Sequence, residues 1–158
     1  MELFRAMDTS ASALTAQRLR MEVTAANLAN AESTRTPEGG PYRRRVVRLG
    51  ERPPAPPAGE SWGRTLALAA GMPSRTASTR GGGGTRVLAI SEDPTPLRRE
   101  FRPGHPDADA SGYVLMPNVN PALEMVELIA ASRAYEASLA TLETTKSMVQ
   151  RTLDLGRR

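Results

Sequence analysis

The sequence predicts an α+β fold in which long N- and C-terminal helices form a coiled-coil stalk. A small β-rich middle domain and a flexible Pro/Gly-rich insertion complete it. Three observations predict this. Both ends carry apolar residues at alternating three- and four-residue spacing without an internal Pro or Gly. The middle is broken by clusters of Pro, Gly, Ser and Asp that mark turns. With only 2 Phe, 1 Trp and 3 Tyr among 158 residues, a thick aromatic core is excluded and narrow helical seams are favoured. The expected organisation is a discontinuous helical assembly domain, residues 1–30 and 121–156, enclosing a middle domain, 31–120, whose low-complexity insertion occupies 51–85.

The first helix is expected from Leu3 to Leu28, with a seam of Phe4, Met7, Ala11, Leu14, Met21, Ala25 and Leu28. Arg18 interrupts that seam, its aliphatic stem able to lie along apolar surface. Small polar residues at Ala31-Glu32-Ser33-Thr34, then Pro37, Gly39, Gly40 and Pro41, end the helix.

In the middle, Tyr42 to Leu49 reads as a short extended segment. Residues 51–85 have a composition that does not offset the entropy of ordering, with a short island around Trp62 to Ala70. Arg86 to Ile90 alternates as a strand, Leu97 to Phe101 reads as its neighbour, and Tyr113 to Met116 as a third strand. This places a β-rich module at one end of the stalk.

The last helix begins at Asn120-Pro121, where Asn caps free amides and Pro suits the first turn. Its expected seam is Met125, Leu128, Ser132, Tyr135, Leu139, Leu142, Val149 and Leu153, with Lys146 as the polar interruption and Gly156 as the stop. At about 50 Å it exceeds its N-terminal partner. Helices this long require more cover than one partner supplies, so the seams serve as core, as partner surface, or both.

Charge is segregated. The formal net charge is +4, yet each helical end is balanced, and residues 31–104 hold thirteen Arg against seven acids. The best nucleic-acid signal is Arg43-Arg44-Arg45 beside Tyr42. Strand alternation sends Arg43 and Arg45 to one face and Arg44 to the other, which favours a solvated strand or an acidic protein partner. A basic nucleic-acid-binding or coiled-coil adaptor protein is the alternative reading. No cysteine is present, so disulfides and thiolate metal sites are excluded. The first twenty residues lack the apolar core of a secretory signal, and no window approaches eighteen apolar residues, so direct membrane insertion is not expected.

No catalytic, cofactor or metal constellation is legible. Gly81 to Gly84 lacks the Lys-Ser or Lys-Thr of a phosphate loop. Asp107, Asp109, Ser111 and Gly112 imitate the start of a calcium loop, but Asn118 stands where the closing carboxylate belongs. His105 is the single histidine, set in a Gly104–Pro106 turn, and is expected to cap that turn or face solvent.

The stretches MELFRAMDTSASALTAQRLRMEVTAANLANAESTRTPEGGPYRRR, PGHPDADASGYV, PNVNPALEMVELIAASRAYEAS and TTKSM resemble the flagellar basal-body rod family, in particular its proximal-rod type. The chain departs from the family pattern at Ala26 and Ser138, and residues 51–85 lie outside the likeness. The resemblance implies a subunit that leaves the cytoplasm through the flagellar type III export apparatus without a cleaved signal peptide. It implies assembly in the periplasm into a hollow helical rod, a homo- or hetero-oligomer with other rod subunits and with basal-body ring and adaptor proteins. The expected assembly interface is Phe4, Met7, Leu14, Met21, Asn27, Leu28, Asn30, Met125, Leu128, Tyr135, Leu139, Leu142, Val149 and Leu153. Catalytic residues, cofactors, metals and nucleic acid are not implied.

Overall fold

The computed structural model describes residues 2–52 and 83–156. The expected insertion, its Trp62–Ala70 island, Gly81 and Gly82 thus fall wholly or mostly outside the described residues. The architecture is α+β: α1 (Glu2–Ala29), β1 (Arg45–Glu51), β2 (Thr85–Glu92), β3 (Arg98–Phe101), β4 (Tyr113–Met116) and α2 (Pro121–Gly156).

Local chemistry sets the helix limits. At the start of α2 the Asn120 carboxamide oxygen accepts from the Ala122 amide at 3.1 Å, and Pro121 occupies the first turn, where a missing N–H costs nothing. At the end of α1 the Asn30 carboxamide donates to the Ala26 carbonyl at 2.8 Å and accepts from the Ser33 hydroxyl at 3.2 Å. The chain then reverses through Thr36 to Gly40, where Gly39 and Gly40 take φ of 91° and 80°, values that a side chain would strain.

The helices lie antiparallel. Arg20 meets Glu127 at 2.6 Å and Asn27 meets Glu124 at 3.0 Å, so positions descend on α1 as they rise on α2. Counting from that level, α2 outruns the start of α1 by about eleven residues, roughly 16 Å. Arg151 to Gly156 are accordingly all exposed.

Two expectations for the middle are corrected. Leu97 to Phe101 does not flank Arg86 to Ile90. Instead β2 pairs antiparallel with β1, with a bulge at Arg48/Leu49, and Arg98 to Phe101 pairs with β4 in a second two-stranded sheet. The reason lies in the turn between them. The Asp93 carboxylate accepts from the Thr95 amide and the Asn118 carboxamide donates to three acceptors, the Asp93 and Thr95 carbonyls and the Thr95 hydroxyl, while Pro94 and Pro96 cannot donate to a ladder. Nor does the β structure sit only at one end. The β1–β2 pair runs along α1: Arg45 bonds Asn27, Thr85 donates to the Ser12 hydroxyl at 3.0 Å, and Arg52 reaches Asp8 at 3.7 Å.

The apolar core is small and lies where α1 ends and α2 begins. It joins Ala31, Tyr42 and Val119, next to the inward side chains of β4, Val114 and Met116. Among the described residues no helix is long and apolar enough to cross a membrane. Asn120→Ala should cost about 1 kcal/mol by removing the cap of α2, measured as a lower urea midpoint at unchanged slope.

Candidate assembly site: a buried polar junction and an uncovered helical face

The helix pair buries small and polar side chains and leaves large apolar ones outside. Facing inward are Ser10, Ala16, Thr24 and Asn27 of α1 and Glu124, Ala131 and Thr145 of α2. Exposed on α2 are Leu123, Met125, Val126, Ile129, Leu139 and Met148, as well as Leu153 and Leu155 in the overhang. The buried rank thus runs along a different line from the expected seam. Leu128, Tyr135, Leu142 and Val149 are half-buried, whereas Met125 and Leu139 are exposed and Leu153 lies in the overhang that α1 does not reach. On α1, Met7, Leu14, Met21 and Leu28 are half-buried; the Phe4 side chain lies outside the described residues.

A dense polar network clamps the pair at one end. Asn27 and Glu124 are each 1% exposed. The Asn27 carboxamide fills all four of its hydrogen-bonding positions: it donates to the Arg45 carbonyl at 2.8 Å and to Glu124 Oε2 at 3.0 Å, and accepts from the Tyr42 hydroxyl and the Arg45 amide, both at 2.9 Å. The other Glu124 oxygen accepts from Arg44 Nε at 2.6 Å, and the Arg44 guanidinium also reaches Asp93 at 3.4 Å. The Arg44 amide donates to the Asn118 carboxamide oxygen at 2.8 Å. The ends of both helices, the start of β1, the turn after β2 and the approach to α2 are thereby tied together.

Burial raises the Tyr42 phenol above its ordinary range, opposed by the neighbouring Arg45 charge and reinforced by Glu124 and Glu92. The Thr95 amide and hydroxyl, with the Arg44 guanidinium, hold the Asp93 carboxyl below the usual carboxylate range.

The expected interface residues Asn27 and Asn30 are spent inside the chain, on this network and on the end of α1. Strand alternation did separate Arg44, turned inward, from exposed Arg43 and Arg45. The junction roles of Glu124, Tyr42 and Asn118 escaped sequence reading, which met Tyr42 only beside the Arg run and Asn118 only in the calcium-like loop. An acid in the first turn of a helix reads as a solvated partner of the helix dipole, and no spacing links it to a residue 97 positions away.

The remaining candidates are engaged locally. The His105 Nδ1 accepts from the Asp107 amide at 3.1 Å, which caps the turn. Asp107 accepts from the Thr34 hydroxyl at 2.8 Å, and Asp109 accepts from the Ser111 and Tyr113 amides and from Arg99. Among the described residues no three acidic or histidine side chains converge as metal ligands.

Residues 7–35 match the family model described as flagella basal body rod protein, and residues 110–155 match that of the flagellar basal body rod FlgEFG protein C-terminal region. The matched segments are most of the two helices with the loops that enter the polar junction, and they define the class of flagellar basal-body rod proteins. At full length the chain is similar to the flagellar basal-body rod protein FlgC of Bacillus subtilis strain 168, at 39% identity over 161 residues, 99% of this chain and 100% of that one. It is 42% identical to FlgC of Yersinia enterocolitica and 38% identical to FlgC of Salmonella typhimurium, each over 156 residues and 99% of both chains. The chain belongs to the FlgC family of flagellar basal-body rod proteins, structural subunits of the flagellar basal body.

Glu124→Ala should cost roughly 1–3 kcal/mol by leaving the buried Asn27 carboxamide one acceptor short and the half-buried Arg44 guanidinium with Asp93 alone, and Glu124→Gln less, since one acceptor oxygen stays; urea unfolding measures both. Because folded Tyr42 keeps its proton to higher pH than the unfolded chain, its contribution is complete below about pH 10 and lost as pH rises beyond it. The urea midpoint should therefore fall as pH rises above about 10, and Tyr42→Phe should flatten that fall.

Proposed function

We propose that this rod subunit polymerises through its terminal helices into the hollow proximal rod. It does so after type III export without a cleaved signal peptide, and it assembles in the periplasm with other rod subunits and with ring and adaptor proteins. The discontinuous unit 1–30 and 121–156 is the assembly domain, a short antiparallel coiled coil in each subunit. Residues 31–120, including the 51–85 insertion, decorate it.

The carrying observation is that α2 leaves many of its large aliphatic side chains uncovered, Val126 and Ile129 among them on the side away from α1. Val126 is 64% exposed and Ile129 55%. Contiguous apolar surface of this kind is unfavourable in a lone molecule and marks a protein interface. Each large side chain covered by a neighbour contributes about 1.5–3 kcal/mol, which offsets the ordering of helices whose inner seam is small and polar. Lateral contacts between unlike faces are heterologous, and their repetition with an axial rise builds an open helical tube.

Val126→Asp with Ile129→Asp changes two exposed positions of that face. The double variant should fold and be exported as before yet be missing from purified basal bodies; its incorporation at normal levels would refute assembly through α2.

A further inference from the structure

The outward faces of the two helices point in opposite directions along the line joining their axes. At 3.6 residues per turn, Val126 and Arg133 stand nearly opposite the inward Glu124 and Ala131 of α2, with Ile129, Glu136 and Ala137 beside them. On α1, Ala11, Arg18, Glu22 and Ala25 stand nearly opposite the inward Ala16, Arg20 and Asn27 and are all exposed. Each face carries one basic and one acidic residue at its centre. Arg18 and Glu22 pair at 3.1 Å with their side chains 71% and 56% exposed. On α2, Arg133 and Glu136 stand three residues apart, both exposed, and Arg133 makes no ion pair among the described residues.

We propose that the uncovered face of α2 receives the outer face of α1 from a second copy of this chain, antiparallel, with Arg18 against Glu136 and Glu22 against Arg133. The inference rests on the rod-subunit reading and specifies the mate and register of its lateral contact. Charge order supports it: run antiparallel, the Arg18-then-Glu22 sequence meets Glu136-then-Arg133 with opposite signs at both positions. Charge also sets the stagger. Within one chain Arg20 is level with Glu127 and Asn27 with Glu124, so a neighbour placed without axial shift would bring Arg18 close to Arg133. Sliding the neighbour by one to two helical turns, roughly 5–11 Å, replaces that repulsion with both attractive pairs. A lateral contact with a built-in axial step cannot close into a flat ring and climbs as a helix.

The test is a charge-reversal cycle in a flagellated bacterium whose only copy of this rod protein is the variant supplied. R18E with E22R keeps the pair within α1 but reverses its order; R133E with E136R does the same on α2. Each double variant should yield about tenfold fewer rod-bearing basal bodies by electron microscopy, with secretion unchanged, and the chain carrying all four changes should recover to near the unmodified level. Normal rods from either double variant would overturn the contact. So would a four-residue variant that stays defective, because the α1 docked on α2 would then belong to a different rod protein. The unmodified chain, tagged in the same cells, separates the two readings: its absence from purified basal bodies would remove the rod-subunit reading itself, and its presence beside indifferent charge reversals would remove this register alone.

Discussion

Everything in this subunit is arranged around one buried contact, the Glu124 carboxylate held between the Asn27 carboxamide and the Arg44 guanidinium. A carboxylate at 1% exposure costs several kcal/mol of lost hydration unless its oxygens are met by donors. Here both are met, and the donors come from elements far apart in the chain. A charge that must be satisfied this way specifies geometry more than it adds stability: any rotation of α2 about its axis, or any slip along α1, would leave Glu124 or Asn27 buried without a partner. The apolar core beside it, Ala31, Tyr42 and Val119, is too small to specify that geometry alone.

The rest of the helical hairpin reads as the complement of this lock. Away from the junction the inner seam is Ser10, Ala16, Ala131 and Thr145, side chains that permit close approach but bury little apolar area. Many of the larger aliphatic groups of α2 are left exposed. In a self-contained protein that distribution would be wasteful; in a polymer it moves the hydrophobic contribution from the fold to the assembly. Placing β1 and β2 along α1 has a related effect. The hairpin covers one flank of the helix, and the faces that remain bare are those pointing away from the pair.

Much of this was legible in the residues. The helix limits followed from Asn120-Pro121 and Gly156 and from the breaker cluster after Ala29, because capping and helix breaking are decided within a few residues. The α+β class and the strands at 86–90 and 113–116 followed from periodicity. The inward turn of Arg44 followed from strand alternation. Strand partnership did not, since an alternating segment fits several edges equally well and only the Asp93–Thr95–Asn118 turn sends β3 away from β2. The seam also misled. Of the seam expected on α2, Leu128, Tyr135, Leu142 and Val149 are half-buried, whereas Met125 and Leu139 are exposed and Leu153 lies in the overhang, because heptad spacing describes more than one stripe.

By itself the sequence determined where the helices begin and end, that the middle would be short strands, and that apolar residues at the two ends would line up as stripes, since each depends on neighbours within a turn or two. Only the tertiary structure decided which stripe faces inward. That choice belongs to Asn27, Arg44 and Glu124, whose hydrogen-bonding demands are met by residues as many as 97 positions away, a distance over which no local pattern carries information.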